Sequence, residues 1–494
     1  MSVTFSEFFE IVRRQVPGAE AVNGDKAALI SEVVSDSRKV VPGALFCCIK
    51  GETSDGHDYA RAAEERKACA LLCERPLESR LPMVIVPSVR EVMADVASEV
   101  YGHPADKLLV AGVTGTNGKT TTTYILRNLL QAAGIRTGLL GTIVENDGFT
   151  ERDAERTTPE SCVVQGQLAA MVRNGCGACV METSSHGLEL GRLKGMRCDI
   201  PVFTNLYPEH LDFHKDMENY FQAKRLLFTR CVKPGFRGAA NAEDPYGRRL
   251  IEEFPEGLRG FALEEEAFAR VKEWHTALNG TEMAVEIKGL DAPLRLKSPL
   301  VGEFNVWNVL CAVTALWGRP GMDEGTVQRG VESIPQVPGR LERHVLPNGA
   351  CCFIDFAHTP SALRKVLSTV RGLTKGRVVS IFGHGGGRYA MNRPELGRIA
   401  AELADRVIVT MDNPRDEDPA DIAGMIVEGI KERGGTEYQV ILDRKEAVCR
   451  GLGLLGPNDV LVVSGKGPEK YLQIGSVKHP YNDAETVDEW CRRA

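Results

Sequence analysis

The sequence lacks any long hydrophobic run. Across its 494 residues, no stretch of about 18 consecutive apolar side chains occurs, so no membrane-spanning helix is predicted. The first residues, MSVTFSEFFEIVRR, carry acidic side chains early and have no apolar core of the kind that a secretory signal needs. These two absences predict a cytoplasmic protein that does not bind a membrane.

Positive charge is not in excess either. The 60 Lys and Arg residues are outnumbered by 67 Asp and Glu residues, and the formal net charge is −7 at pH 7. A protein that binds nucleic acid broadly presents a strongly basic surface, so no nucleic-acid partner is predicted. Any anionic ligand must instead be held by local groups of basic side chains.

A zinc-type arrangement of cysteines is also missing. Cys176 and Cys179 form a single C-x-x-C, and no second pair stands at a spacing that suits a tetrahedral zinc site. Several other cysteines lie in adjacent pairs within apolar runs. The 14 cysteines are therefore predicted to be buried free thiols, as expected in the reducing cytoplasm.

The segment GVTGTNGKTTT (112–122) is the strongest indication of function. A short apolar run precedes it, and a helix-compatible segment, Tyr124–Ala133, follows it. A strand, a glycine turn and a helix N-terminus place backbone N–H groups and the positive end of the helix dipole around a phosphate. We predict that Lys119 reaches the outer phosphates of a nucleotide and that Thr120 holds Mg²⁺. Val113 replaces the first glycine of the common pattern, so the loop is the shorter variant G-T-N-G-K-T.

Alternating strand and helix patterns predict an α/β protein. The chain is too long for one hydrophobic core, and we predict three domains. These are a small α/β domain over residues 1–104, a central P-loop ATPase-like domain with a mostly parallel sheet over 105–338, and a C-terminal Rossmann-like α/β domain over 339–494. No G-x-G-x-x-G fingerprint opens the last domain, so no nicotinamide cofactor is predicted.

Four polar side chains of the central domain are candidates for a nucleotide and metal site. Glu182 ends the apolar run ACVME, and because ligands of parallel sheets bind at the carboxyl ends of strands, we place it opposite Thr120. His210 follows the next apolar run, PVFTNL. Lys224 has apolar neighbours, and a desolvated lysine has a depressed pKa and a reactive neutral amine. The fourth candidate is Asn305 in the segment GEFNVWN. The alternative interpretations are an exposed strand-end glutamate for Glu182, a structural histidine for His210, a surface lysine for Lys224 and a helix cap for Asn305.

Polar segments at three strand ends of the C-terminal domain suit a zwitterionic ligand. Arg388 and Arg415 are each able to hold a carboxylate through two parallel hydrogen bonds, and Glu469 is able to pair with an ammonium group. Each segment alone is equally compatible with an ordinary surface turn. The three segments are FGHGGGR (382–388), DNPR (412–415) and SGKGPE (464–469).

Together these motifs resemble those of the Mur ligase family, the ATP-dependent enzymes that form amide bonds in peptidoglycan precursors. Two of them, TTPES and DNPR, are most similar to the members that add a diamino acid as the third residue of the peptide. The resemblance covers nearly the whole chain, in the segments DSR (36–38), GTNGKTT (115–121), TTPES (157–161), ETSSHGL (182–188), FTNL (203–206), HLDFH (210–214), QAKRLLF (222–228), GEFNVWN (302–308), PGRLE (338–342), DFAHTP (355–360) and DNPR (412–415).

The resemblance implies a reaction. Such an enzyme uses ATP, with Mg²⁺ as cofactor, to add meso-diaminopimelate to UDP-N-acetylmuramoyl-L-alanyl-D-glutamate through an acyl phosphate. The segment DNPR is similar to the form that accompanies meso-diaminopimelate, where the arginine meets the distal carboxylate; lysine-adding relatives usually lack it. The chain is further predicted to be a monomer.

The resemblance also implies roles for individual residues. The catalytic set is Lys119, Glu182, His210 and Lys224. The metal ligands are Thr120, Glu182, His210 and a carbamylated Lys224. The ATP site comprises Gly115, Thr116, Asn117, Gly118, Lys119, Thr120, Thr121, Asn305, Arg340 and Asp355. The muramoyl-dipeptide site comprises Ser37, Thr157, Thr158, Ser184 and Arg192. The diamino-acid site comprises Arg388, Asp412, Asn413, Arg415, Gly465 and Glu469.

Three segments depart from the family pattern and leave alternatives open. The family's DHLD is EHLD (209–212) here, GGDRD is GGGRY (385–389), and GKGHE is GKGPE (465–469). One alternative is the same ligase acting on L-lysine or another diamino acid. Another is a nucleotide-dependent binding or switch protein that has lost ligation, although the retained Glu182, His210 and Lys224 argue against it. The folylpolyglutamate and cyanophycin branches share the loop, but DSR and TTPES disfavour them.

Overall fold

The computed structural model describes residues 2–23, 27–51 and 54–493. They form two compact units. The first contains the described residues up to Lys272 together with Val285–Leu294 and Trp307–Val331. The second contains Glu273–Ala284, Arg295–Val306 and the described residues from Glu332 onward. Both units are built from sheets covered by helices, which confirms the predicted α/β class.

The N-terminal part of the first unit is a five-stranded sheet in the order β2-β7-β6-β5-β4. The strands β4 to β7 are parallel, and β2 pairs antiparallel with β7 at one edge. Helix α1 begins with a capping box, in which Thr4 and Glu7 each accept a hydrogen bond from the other's backbone N–H. The elements are β1 (Val3–Thr4), α1 (Phe5–Gln15), β2 (Glu20–Val22), β3 (Leu29–Ile30), β4 (Glu32–Val34), β5 (Ala44–Cys47), α2 (Ala60–Glu65), β6 (Ala70–Cys73), β7 (Met83–Ile85) and α3 (Val89–Val100).

The central sheet has the order β11-β10-β9-β12-β8-β13-β14-β15-β16-β17-β18. From β9 to β16 all neighbours pair in parallel, as predicted for this part of the chain. The elements are β8 (Leu109–Thr114), α4 (Lys119–Ala132), β9 (Thr137–Leu140), β10 (Val144–Asn146), β11 (Glu151–Asp153), α5 (Ser161–Arg173), β12 (Ala178–Glu182), α6 (Ser185–Glu189), β13 (Ile200–Phe203), α7 (Leu211–His214), α8 (Met217–Thr229), β14 (Gly238–Asn241), α9 (Pro245–Glu253), β15 (Leu258–Ala262), β16 (Ala269–Ala277), β17 (Gly280–Ile287), β18 (Leu294–Ser298), α10 (Glu303–Leu316) and α11 (Glu324–Glu332).

The central strands β8, β12 and β13 are mostly apolar and, apart from Leu109, buried, because helices cover both faces of a parallel sheet. Because β12, β8 and β13 are parallel neighbours, the residues that follow them emerge at one edge. That edge carries the phosphate loop after β8, Glu182 at the end of β12, and the segment after β13.

The sheet of the second unit has the order β19-β20-β24-β21-β22-β23, parallel except for β19. Helices α12, α13 and α14 pack on one face, and α15 and α16 on the other. The elements are β19 (Glu342–Val345), β20 (Cys351–Asp355), α12 (Pro360–Leu373), β21 (Val378–Phe382), α13 (Asn392–Leu403), β22 (Arg406–Val409), α14 (Pro419–Arg433), β23 (Glu437–Val440), α15 (Arg444–Leu452), β24 (Val460–Ser464), β25 (Tyr471–Ile474), β26 (Val477–Pro480) and α16 (Asp483–Arg493).

All 14 cysteines are free, as predicted, but Cys69, Cys449 and Cys491 are only partly buried; Cys69 and Cys491 lie at the margins of hydrophobic cores. Among the described residues, no helix combines the length and apolar character that crossing a bilayer requires.

Candidate active site

The phosphate loop occupies the turn between β8 and α4. Gly115 and Gly118 have φ values of +144° and +86°, a region that favours glycine. A Cβ on Gly115 would collide with the hydroxyl of Thr204, and one on Gly118 would lie 2.5 Å from Asn308 Oδ1. Because α4 begins at Lys119, its N-terminal N–H groups face the loop. The turn therefore has the geometry that the sequence predicts for a phosphate cradle.

The segment after β13 holds this loop in shape. The backbone N–H of Asn117 donates to Asn205 Oδ1 at 2.9 Å, and the hydroxyl of Thr204 donates to the Asn117 carbonyl at 2.6 Å. The backbone N–H of Thr116 donates to the Asn205 carbonyl at 2.9 Å. Sequence reasoning assigned no role to Thr204 or Asn205, although both stand in the segment FTNL.

Two lysines converge on one carbonyl of the loop. Lys119 Nζ donates to the carbonyls of Gly115 and Thr116 at 2.9 and 2.8 Å, and Lys224 Nζ donates to the Gly115 carbonyl at 2.9 Å. Lys224 is only 1% exposed. Burial, together with the charge of Lys119, holds the pKa of Lys224 well below its usual value. The predicted burial of Lys224 is confirmed.

Glu182 and Thr120 lie together, as predicted from the strand ends. The hydroxyl of Thr120 donates to Glu182 Oε2 at 3.1 Å, and Glu182 is 1% exposed. Thr142, which the sequence did not single out, donates its backbone N–H to Oε1 at 2.8 Å and its hydroxyl to Oε2 at 3.0 Å. Carboxylate and hydroxyl oxygens are ligands that Mg²⁺ prefers. In the described part of the chain, no group of three or more His, Cys, Asp and Glu side chains is arranged to hold a metal.

His210 belongs to a cluster of aromatic rings beside Lys224. It is exposed, has a φ of +57°, and precedes α7. Its ring centroid is 4.9 Å from that of His186 and 6.3 Å from that of Tyr220. Lys224 Nζ lies 4.4 Å from the centroid of the Tyr220 ring. Both His210 and Lys224 therefore approach Tyr220.

The residues assigned to the muramoyl dipeptide form one hydrogen-bonded group at the end of β12. The hydroxyl of Thr158 donates to the Glu182 carbonyl at 2.9 Å and accepts from the Ser184 N–H at 2.9 Å. A guanidinium N–H of Arg192 donates to the Thr158 carbonyl at 3.2 Å. Thr158 is itself buried, whereas Thr157 is partly exposed. Thr158 is thus a buried residue that holds the backbone at Glu182 and Ser184 in place.

Ion pairs extend this group toward the N-terminal sheet. Arg192 Nε lies 3.0 Å from a carboxylate oxygen of Glu160, and burial lowers the pKa of Arg192. Ser37 lies in a short 3₁₀ turn, and Lys39 of the same turn pairs with Glu155 at 2.6 Å. The turn that contains Ser37 is therefore tied to the segment that precedes Thr157 and Thr158.

The three residues assigned to the base and ribose of ATP all lie in the second unit. Asn305 lies inside α10 and donates its amide N–H to the Val301 carbonyl at 2.8 Å, so it is not a helix cap. Asp355 accepts two backbone hydrogen bonds, at 2.7 and 2.8 Å, and burial raises its pKa, opposed by the charge of Arg340. The Arg340 guanidinium lies 5.3 Å from the centre of the Phe356 ring. Arg340 and Asp355 are thus neighbours.

The glycine-rich segment and DNPR meet at their backbones. The Gly386 N–H donates to the Asn413 carbonyl at 2.9 Å, and Arg415 donates to the Gly386 carbonyl. A Cβ on Gly385 would lie 3.4 Å from Arg415 Nη1 and 3.5 Å from Arg388 Cγ. The structure therefore brings together the two arginines predicted to bind carboxylates, with Arg388 exposed.

The segment SGKGPE contacts the same group of residues. Asn413 Nδ2 donates to Glu469 Oε2 at 2.9 Å, and Asp412 Oδ1 accepts from the Asn413 N–H at 2.6 Å. Gly465 has a φ of +111°, and a Cβ there would collide with the Asp412 carboxylate. Lys466, to which the sequence assigned no role, contacts both Asn413 and Glu469. All six predicted diamino-acid residues thus lie at adjoining strand ends of one sheet.

A phosphate loop on a parallel sheet is typical of nucleotide-binding proteins. Protein-family models identify the kind of nucleotide-binding protein more closely. Three family descriptions match successive parts of the chain: the Mur ligase family catalytic domain over residues 18–101, the Mur ligase middle domain over 113–316, and the Mur ligase glutamate ligase domain over 339–467.

Individual relatives agree with this assignment. The UDP-N-acetylmuramoyl-L-alanyl-D-glutamate--2,6-diaminopimelate ligase of Chlorobium phaeobacteroides is 40% identical over 490 residues, which cover 96% of this chain and 94% of the relative. A solved structure of a ligase of that name has a TM-score of 0.70 and 28% identity, over 100% of this chain and 99% of that one. The MurF ligase of Thermotoga maritima in complex with ADP shares the fold, with a TM-score of 0.62 and 19% identity, over 94% of this chain and 98% of that one. The chain belongs to the Mur ligase family.

Proposed function

We propose that this chain is an ATP-dependent ligase that joins meso-diaminopimelate to the D-glutamate γ-carboxylate of UDP-N-acetylmuramoyl-L-alanyl-D-glutamate during peptidoglycan precursor synthesis. The observation that carries the proposal is the phosphate loop, with Lys119 on its carbonyls and Thr120 in contact with buried Glu182. The similarity to diaminopimelate ligases along nearly the whole chain supports the choice of substrates. The ADP complex of the MurF relative supports ATP as phosphate donor.

The phosphates of ATP are proposed to lie in the loop from Gly115 to Thr121. Thr120 and Glu182 fit Mg²⁺, because their oxygens are within 3.1 Å of each other and both are held by neighbouring groups. Bound Mg²⁺ would neutralise charge on the phosphates. Lys119 would turn away from the carbonyls of Gly115 and Thr116 to donate to a phosphate oxygen. Asn305, Arg340 and Asp355 are proposed to contact the base and ribose.

The reaction proceeds in two displacements. An oxygen of the γ-carboxylate attacks the γ-phosphorus of ATP, the bond to the β–γ bridging oxygen breaks, and an acyl phosphate and ADP result. The neutral amine of the diamino acid then attacks the acyl carbon; the C–O bond to phosphate breaks and the nitrogen loses a proton. Positioning and charge neutralisation by Lys119 account for most of the catalysis, and no protein nucleophile is required.

Lys224 is proposed to be carbamylated. A neutral amine adds to the carbon of CO₂ and releases a proton, which leaves a carbamate anion. The depressed pKa of buried Lys224 favours the neutral amine that this reaction needs. Carbamylation would turn Lys224, one of the two lysines at the Gly115 carbonyl, from a cation into an anion. The carbamate and the His210 ring would then together suit a second Mg²⁺.

The remaining assignments belong to the same proposal. The domain boundaries are proposed at residues 104/105 and 338/339, and the chain is proposed to act in the cytoplasm as a monomer. The muramoyl dipeptide is proposed to contact Ser37, Thr157, Thr158, Ser184 and Arg192. The diamino acid is proposed to contact Arg388, Asp412, Asn413, Arg415, Gly465 and Glu469.

An isotope experiment tests this function. The protein is incubated with ATP, Mg²⁺, meso-diaminopimelate and UDP-N-acetylmuramoyl-L-alanyl-D-glutamate labelled with ¹⁸O in the γ-carboxylate. We expect a nucleotide product whose mass has increased by one diaminopimelate less one H₂¹⁸O, and one ¹⁸O in the released phosphate. Product without label in the phosphate would contradict the acyl phosphate. Absence of product with every diamino acid would favour a binding or switch protein.

A further inference from the structure

A fully buried lysine lies behind the proposed diamino-acid pocket. Lys466 follows β24 and is 0% exposed. The glycines on either side of it have φ values of +111° and +49°, a region that favours glycine. A Cβ on Gly467 would lie 2.8 Å from Phe356 Cβ. The sequence Gly-Lys-Gly is therefore required by the path of this turn.

The buried ammonium group is held by two side chains of the pocket. Lys466 Nζ donates to Asn413 Oδ1 at 3.0 Å and to Glu469 Oε2 at 2.8 Å. Burying an ion pair costs desolvation energy that its attraction often fails to repay, so such a pair is weak evidence for a role in stability. Its presence at this position instead indicates a role in fixing geometry.

The contacts of Lys466 determine which atoms of Asn413 and Glu469 remain available. Asn413 Oδ1 accepts from Lys466 and from the Gln473 N–H at 2.8 Å, which orients its Nδ2 toward Glu469. Glu469 Oε2 thereby receives two donors. Within residues 2–23, 27–51 and 54–493, no donor reaches Glu469 Oε1, which leaves that oxygen for a ligand ammonium group.

We propose that Lys466 is a positioning residue for the amino-acid substrate, which fixes the Asn413 amide and the Glu469 carboxylate in the orientation that receives the substrate's ammonium group. Lys466 does not touch the substrate; it acts through these two side chains. The inference rests on the proposed function, because it presumes that Asn413 and Glu469 bind the diamino acid.

The variant Lys466→Met tests this role through kinetics. We expect the KM for the diamino acid to rise about 10- to 100-fold, because two charge-assisted hydrogen bonds are lost and the carboxylate is free to turn. The KM values for ATP and for the UDP-muramoyl dipeptide should stay within about twofold. In a Glu469→Gln background, the effect of Lys466→Met should shrink to less than about threefold, since both changes act on one contact.

A matched control is a second lysine near the same aromatic ring. Lys466 Nζ and Lys478 Nζ lie 5.3 and 4.0 Å from the centre of the Tyr471 ring, but Lys478 is exposed and does not belong to the Asn413–Glu469 group. Lys478→Met should leave all three KM values unchanged. If Lys466→Met does not fold, Lys466→Gln, which keeps one donor, takes its place under the same criteria.

Three results would overturn the inference. They are a parallel rise in the KM values of all three substrates, an unchanged KM for the diamino acid, or a full effect of the Lys466 change in the Glu469→Gln background. Failure of the proposed function is seen separately, in the wild-type protein, as absence of amino-acid-dependent phosphate release. A wild-type preference for L-lysine leaves the test intact, because the KM is then measured with L-lysine.

Discussion

The wild-type protein should lose stability between pH 7 and pH 5, and the variant His214→Gln should lose about 2 kcal/mol less over the same interval. His214 is buried beside the proposed metal ligands, and its Nε2 lies 3.0 Å from the hydroxyl of Ser185. Burial is the main cause that lowers the pKa of His214 from 6.5 to about 4; the neighbouring His186 adds to the shift and Asp212 opposes it.

The sign and size of the effect follow from this lowered pKa. Between pH 6.5 and pH 4 the unfolded chain binds a proton at position 214 that the folded protein does not bind. The unfolded state therefore gains stability as the pH falls through that window. At pH 5 the pH is about 1.5 units below the pKa of 6.5 that the histidine has in the unfolded chain. Each unit corresponds to about 1.36 kcal/mol, so the loss of stability is about 2 kcal/mol.

Urea-induced unfolding at pH 7 and pH 5 measures the difference, and an NMR titration of the histidine rings measures the pKa directly. The control is His479→Gln, since His479 is exposed on β26. We expect the control to lose as much stability between the two pH values as the wild type, and His214→Gln to lose about 2 kcal/mol less. An equal loss in His214→Gln and wild type would refute the reasoning.

Three further predictions concern the loops. Lys119→Ala should lower kcat/KM by at least about 100-fold while leaving the unfolding midpoint close to that of the wild type, because the lysine hydrogen-bonds to the Gly115 and Thr116 carbonyls of its own loop; wild-type turnover would contradict the loop assignment. Arg415→Ala should raise the KM for meso-diaminopimelate about 10- to 100-fold and that for ATP less than twofold, as steady-state kinetics would show; equal effects would count against a carboxylate clamp. Gly465→Ala should destabilise the protein by about 1–3 kcal/mol in urea unfolding, because Gly465 has a positive φ that alanine rarely adopts. The control Gly424→Ala, in open space on α14, should stabilise the protein by about 0.5–1 kcal/mol. Similar values for the two variants would refute this use of φ.

The pairing of Glu182 with Thr120 was predictable because it depends only on strand direction. β12 and β8 are parallel neighbours, so the residues at their carboxyl ends must meet. Lys224 was likewise predictable as buried, since Phe221, Leu227 and Phe228 surround it in the sequence and are all buried. Local patterns and sheet topology were sufficient in both cases.

Helix α4 shows where local propensity misleads. The sequence indicated a helix from Tyr124, but α4 begins at Lys119 and includes four successive threonines, Thr120–Thr123. β-Branched side chains weaken a helix in isolation. Here all four threonines are buried, and the Thr123 hydroxyl bonds to the Thr120 carbonyl at 2.7 Å, so tertiary packing outweighs propensity.

Other parts of the site depend on contacts between residues far apart in the sequence. Thr142 is 40 residues from Glu182, Asn205 is 88 residues from Asn117, and Lys466 is 53 residues from Asn413. No periodicity or spacing relates these residues, because loops from different strands approach only after the sheet has formed. The side chains that orient the functional groups are therefore found only in the structure.

Phosphate release from ATP is the measurement that tests the central claim most directly. The protein is given UDP-N-acetylmuramoyl-L-alanyl-D-glutamate with meso-diaminopimelate, L-lysine or L-ornithine in turn. The account predicts release that depends strongly on meso-diaminopimelate. Preference for lysine or ornithine would contradict the role given to Arg415, and silence with all three would contradict the ligase itself.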